Sequence, residues 1–173
     1  MKHLWLTPLV LLIVQACGSN SNQFNIEGEL KNASGETLYL MELTTNGTNK
    51  LDSVKVGQDG QFTFSGYTKV AKFLLVQTEP RNSLTLVVEP GDDIALTGDI
   101  TNLGKNYKVE GSEGSRQIMK LRKRLERTIS SLDSLGKIYR ENQGKQGMED
   151  LRNRLNKESR KIVDQQKQYT KDF

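Results

Sequence analysis

The chain has one cysteine, Cys17, and one histidine, His3, within its 173 residues. A lone thiol can act as a nucleophile, a metal ligand or an attachment point, so its surroundings decide among these. His3 and Cys17 flank Leu4–Val14, a mostly apolar run behind the short positive start Met1-Lys2-His3. A bilayer-spanning helix needs about 20 apolar residues, so this run is too short for a stable anchor. Its layout is that of a secretory signal peptide, with removal expected before Cys17. His3 leaves with that peptide. The mature chain then offers no imidazole and no second thiol, which excludes Cys-His and Ser-His-Asp nucleophilic sites. It also excludes zinc sites built on those side chains. No catalytic residue, metal or cofactor is assigned from the sequence. An inert, buried Cys17 is the competing reading, but Gly18-Ser19-Asn20-Ser21-Asn22-Gln23 has the composition of a tether, not of a core.

Val14-Gln15-Ala16-Cys17 resembles the lipobox of bacterial lipoproteins. The resemblance implies cleavage between Ala16 and Cys17, a diacylglycerol on the Cys17 thiol, and acylation of the new amino group. One acyl chain holds a protein to a membrane marginally, and two or three hold it stably. Gln15 departs from the small or hydroxyl residue most lipoboxes carry. No acidic residue follows Cys17 in the tether. This favours an anchor on the periplasmic face of a Gram-negative envelope, with the outer membrane as the expected site. Membrane lipid is thus the first expected partner, through Cys17.

The formal net charge of +4 conceals a split. Residues 18–111 carry 8 Lys and Arg against 12 Asp and Glu, or −4, whereas residues 112–173 carry 16 against 9, or +7. The hydrophobic pattern changes at the same place. The expected organisation is therefore 1–16 signal peptide, 17–23 lipidated tether, 24–111 strand domain and 112–173 helical hairpin.

Within residues 24–110, β-branched and apolar segments alternate with turn signals. Phe24–Leu30, Thr37–Leu43, Leu51–Val56, Gln61–Gly66, Lys72–Thr78, Ser83–Glu89, Ile94–Gly98 and Tyr107–Val109 read as eight short strands. Asp59-Gly60 is a strong two-residue hairpin signal. The fold class expected is α+β, mainly β: an antiparallel sandwich or barrel-like domain followed by an antiparallel helical hairpin. Asp92, Asp93 and Asp99 invite a calcium reading, but they lack ligand-loop spacing and read as turn acids. Tyr39, Phe62, Phe64, Tyr67 and Phe73 could line a groove for a peptide, glycan or lipid. Alternating aromatics more simply describe half-buried strands.

After Ser115, read as a helix N-cap, the period becomes helical. Ile118, Leu121, Leu125, Leu132, Leu135 and Tyr139 share one heptad stripe, with Thr128 at the remaining position. A break at Gly144–Gly147 precedes a second stripe of Met148, Leu151, Leu155, Ile162 and Tyr169, with Glu158 and Gln165 in polar positions. The stripes are narrow, so the helices are expected to pair and to need a further partner, either a second copy or an attached domain. Arg116, Lys120, Arg122, Lys123, Arg124 and Arg127 crowd the other faces. The plain reading is a solvated helix face with a few ion pairs such as Arg122 with Glu126; anionic lipid headgroups near the anchor would also suit them. Nucleic acid is not expected, because stacking aromatics are scarce among them.

The order "FNIEGEL", "LYLMEL", "DSVKVGQDGQFTFSG", "LVVEPGDDIALTGD", "YKVEGSEGS" and a long helix resembles the uncharacterised β-rich domain at the N-terminus of many thioredoxin-like lipoproteins. The likeness covers about residues 24–142. Its pieces are G-x-F-x-F-x-G at Gly60–Gly66, Glu89-Pro90-Gly91-Asp92, and Gly111-Ser112-x-x-Ser115. In those relatives a thioredoxin-like domain of the TlpA/ResA or AhpC/TSA type follows, with its chemistry in a Cys-x-x-Cys motif. No such motif occurs here. The resemblance therefore implies a non-catalytic accessory or scaffold role, in a stand-alone copy or in the front part of a longer oxidoreductase; the unfinished helical packing favours the latter. Asp52-Ser53-Val54 and Asp133-Ser134-Leu135 resemble a periplasmic O-glycosylation signal, which marks Ser53 and Ser134 as possible acceptors.

Overall fold

The computed structural model describes residues 22–79 and 82–173. Eight strands come first: β1 Gln23–Lys31, β2 Thr37–Thr44, β3 Gly47–Lys55, β4 Gln61–Tyr67, β5 Lys72–Glu79, β6 Asn82–Val88, β7 Asp93–Asp99 and β8 Tyr107–Glu110. A 3-10 turn at Ile100–Asn102 separates β7 from β8, and helices α1 Glu113–Glu141 and α2 Met148–Lys171 follow. The strands form two open four-stranded sheets, ordered β4-β1-β7-β8 and β3-β2-β5-β6. The architecture is α+β and mainly β, a sandwich rather than a closed barrel.

Alternation places the core. Along β1 and β4, Phe24, Ile26, Leu30, Phe62 and Phe64 point inward, and along β5 and β6 Leu74, Val76, Leu84, Leu86 and Val88 do the same. Burying one large aliphatic or aromatic side chain contributes about 1.5–3 kcal/mol, so this set supplies most of the drive to fold. The G-x-F-x-F-x-G segment has a cross-strand explanation. In the β1–β4 register Phe62 lies opposite Gly28 and Phe24 opposite Gly66. A Cβ on Gly28 would sit 2.5 Å from the Phe62 ring, and one on Gly66 would sit 2.6 Å from the Phe24 ring. Each ring thus covers the bare backbone of a facing glycine.

Three expectations are corrected. The strand domain is not wholly antiparallel, because β1 and β7 pair in parallel, Asn25 with Asp93 through Lys31 with Asp99. Of the strands between them, β2, β3, β5 and β6 build the other sheet and β4 takes one side of β1, so the chain comes back from the second sheet to the other side of β1 running in the direction of β1. Asp59-Gly60 does form a tight turn, with Gly57 N–H donating to Gln61 O at 2.9 Å and Gly60 at φ 82°. It does not close a hairpin, however: β3 pairs with β2 and β4 with β1, so this turn carries the chain from one sheet to the other. Turn chemistry fixes a chain reversal; it does not choose the strand's neighbour. Finally, Ser112, not Ser115, is the N-cap of α1: the Ser115 N–H donates to Ser112 Oγ at 3.2 Å. Three residues later, Ser115 is already inside the helix and fully buried.

The helices pack antiparallel. Thr128 Oγ1 donates to Gln166 Oε1 at 2.9 Å, and the Arg124 guanidinium lies 5.4 Å from the centre of the Tyr169 ring. The stripe on α2 runs through Ser159 and Gln166, whereas Glu158 and Gln165 face water. A hydroxyl loses less than a carboxylate when half-buried, so the seam shifts by one residue in mid-helix. Leu125 likewise falls off the seam and is 46 % exposed. Among the described residues no helix is long and apolar enough to cross a membrane.

Candidate functional site: the lock between helix and sheet edge

An edge strand carries unpaired N–H and C=O groups that template aggregation unless they are covered. The edge strand β6 is covered by α1. Val87 N–H donates to Ser115 Oγ at 2.9 Å, while Val87 O accepts from Ser115 Oγ at 2.8 Å and from Ser112 Oγ at 2.7 Å. Every donor and acceptor in this cluster is used, including the lone proton of each hydroxyl. Two glycines make the close approach possible. Gly111 has φ 82°, and a Cβ there would lie 1.8 Å from Asp93 O. A Cβ on Gly114 would lie 2.8 Å from the Val87 side chain. The Gly-Ser-x-x-Ser segment is thus a device that seats a helix on a strand edge.

In the same first turn as this lock, the Arg116 guanidinium bonds to Glu113, and that contact holds the Glu113 carboxyl below its ordinary range. Two turns further on, Arg122 reaches Ser83 O on the same strand, at 3.5 Å. Arg122 also forms an ion pair with Glu126, one turn on, at 3.7 Å. Replacing Ser115 by alanine removes the partner of a buried N–H and is expected to cost about 2 kcal/mol, read as a lowered denaturant midpoint at unchanged slope.

The Tyr107 side chain on β8 is buried in the core, and its hydroxyl finds no hydrogen-bond partner among the described residues. Burial raises its pKa, which the nearby Arg122 opposes. Tyr107→Phe is therefore expected to hold or raise stability, by up to about 1 kcal/mol in chemical denaturation. A clear loss would show that the hydroxyl does structural work.

The residues singled out from the sequence lie apart. Ala16 and Cys17 fall outside the described residues. Ser53 sits exposed in the middle of β3, and Ser134 sits exposed on α1, its Oγ donating to Ser130 O at 2.8 Å. Asp92 accepts from Glu89 N at 2.9 Å, and Asp93 accepts from Asn25 at 2.9 Å. Asp99 caps the 3-10 turn through Thr101 and accepts from Asn32. The bonds from Thr101, then that from Asn32, hold the Asp99 carboxyl below its ordinary range. Any stabilisation it gives is present above the usual carboxylate pKa and is lost as pH falls through the lowered value. Among the described residues no cluster of His, Cys, Asp and Glu is arranged to hold a metal. The five aromatics do not line one groove. Phe62 and Phe64 are core residues in edge contact at 5.8 Å, Tyr39 lies beneath Lys50, and Tyr67 and Phe73 are exposed on different sheets.

A two-sheet sandwich with a helix locked onto one edge defines a structural class rather than a reaction. Residues 24–117, more than half of the chain, match the family described as a domain of unknown function (DUF4369), and the chain belongs to that family. The matched stretch ends just after the Ser112–Ser115 lock, so the lock lies inside the family domain and the rest of the hairpin outside it. No curated protein matches the chain.

Proposed function

We propose that this protein is a lipid-anchored lipoprotein of the bacterial cell envelope, on the periplasmic face of the outer membrane, and that its sandwich and hairpin form a non-catalytic scaffold. Cys17 would carry the lipid. The observation that best supports a scaffold is the polarity of the fold. The first strand begins beside Gly91 and Asp92, because Gln23 O accepts from Gly91 N at 3.1 Å and Asn25 N donates to Asp92 O at 2.9 Å. The start of α1 lies at that same end, where Gly111 abuts Asp93. From there α1 follows β6 to Ser83 and continues past it; the part beyond Glu126 adds roughly 20 Å at 1.5 Å per residue. Gln23, the point from which the expected tether would extend, and the hairpin tip therefore lie at opposite ends of the described residues. That arrangement suits a spacer that holds something away from the membrane.

The resemblance to thioredoxin-associated lipoproteins supplies the kind of cargo, a redox domain carried or paired through the helices. The half-covered faces of α1 and α2 suit such a partner or a second copy. If Ser53 and Ser134 are glycosylated, both acceptors are accessible on this body. The test of the scaffold reading is an insulin-disulfide reduction assay on the purified chain. No turnover above the thiol blank is expected, and measurable reductase activity would overturn the non-catalytic role.

A further inference from the structure

We propose that the concave surface where the first sheet meets α1 binds a phosphate-bearing anion. Four lysines from four separate segments converge there: Lys31 at the end of β1, Lys105 in the loop before β8, Lys108 on β8 and Lys123 on α1. They border a cavity of about 700 Å³, together with Thr97 and Asn106, which offer neutral donors. Strand register fixes the floor. Lys108 lies opposite Thr97, Thr97 opposite Glu29, and Lys31 opposite Asp99. Glu29 and Asp99 are the acidic residues of the site, so four ammonium groups face two carboxylates. Asp99 is already engaged by Thr101 and Asn32. None of the four lysines forms an ion pair among the described residues.

The stripe Arg116, Lys120, Lys123 and Arg127 recurs at helical spacing along the exposed face of α1, so the positive field extends beyond the cavity. A concave surface lined by one sign of charge focuses its field on an incoming counter-ion. Lysine ammonium groups serve phosphate as mobile point charges, and a multiply charged phosphate can satisfy several at once. The site lies at the end of the sandwich opposite Gln23, the start of β1. It is independent of the scaffold reading, because neither lipidation nor a redox partner enters the argument.

The test uses the full chain with Cys17→Ser, so that no acyl chain contributes, and two probes. One is inorganic pyrophosphate, followed by calorimetry; the other is vesicles of equal parts phosphatidylcholine and phosphatidylglycerol, with phosphatidylcholine alone as control. Saturable binding is expected. Lys105→Gln with Lys108→Gln should weaken it at least about ten-fold, since two charged donors to the phosphate are removed. The same charge removed from α2, by Lys157→Gln with Lys161→Gln, should leave it within about two-fold at moderate salt, where screening confines the effect to neighbouring charges. Loss of pyrophosphate binding in the first pair alone identifies a soluble phosphate compound as the ligand, and loss of vesicle binding identifies a lipid headgroup. Equal weakening by both pairs, or no saturation with either probe, would overturn the proposal. Circular dichroism melts of each variant separate a lost site from a lost fold.

Discussion

Replacing Gly111 by alanine is expected to be the most damaging single-methyl change in the strand domain, lowering stability by about 4 kcal/mol. Two costs add. The residue sits at φ 82°, where an L side chain is strained by about 1–2 kcal/mol. The added Cβ would also lie 1.8 Å from the carbonyl oxygen of Asp93, a backbone atom of β7 that cannot rotate away. Relief requires α1 to lift from its seat, which breaks the Ser112 and Ser115 bonds to Val87. Gly35 provides the control, because its φ is 77° but nothing lies within 4 Å of an added Cβ. Gly35→Ala should therefore cost only the conformational part, about 1–2 kcal/mol. Urea unfolding of both variants decides the matter. Similar losses would mean that the Gly111 contact is not what holds the helix.

Cys17→Ser is expected to have the largest effect on where the protein resides. On the proposed lipoprotein reading the Cys17 thiol is the attachment point, so without it no diacylglycerol can be attached. A single myristoyl chain already gives an association constant of about 10⁴ M⁻¹, and each buried CH₂ adds about 0.8 kcal/mol. With residues 1–16 replaced by a conventionally cleaved signal peptide, loss of the two or three proposed chains should therefore shift the protein from the membrane pellet to the soluble fraction almost completely, in high-salt washes that strip weak electrostatic binders. A variant that stays in the pellet after such a wash would mean that another feature holds the protein there.

These two residues also show what a sequence can and cannot disclose. The strands were legible because the inward positions of β1, β4, β5 and β6 alternate strictly with polar ones, a local signal. The break between strand and helix at Gly111 was legible because charge and period change together. Pairing was not legible. The Asp59-Gly60 turn looks like a hairpin from its own residues, and only distant strands decide that it joins two sheets. The parallel pairing of β1 with β7 is non-local in the same way. Ser112 and Ser115 differ by one helical turn, so either could cap α1; what separates them is Val87, on a strand some 25 residues earlier in sequence. The shift from Glu158 to Ser159 reflects the difference between a carboxylate and a hydroxyl at a half-buried seam, which heptad counting does not weigh. The lysine cavity was the least legible feature, because its members come from four segments that only the fold assembles.

The measurement that bears most directly on the account is an intact mass spectrum of the protein extracted from native membranes. The account predicts a chain that begins at Cys17 and carries two or three acyl chains. A chain that begins at Met1, or one cut elsewhere with the Cys17 thiol free, would contradict it.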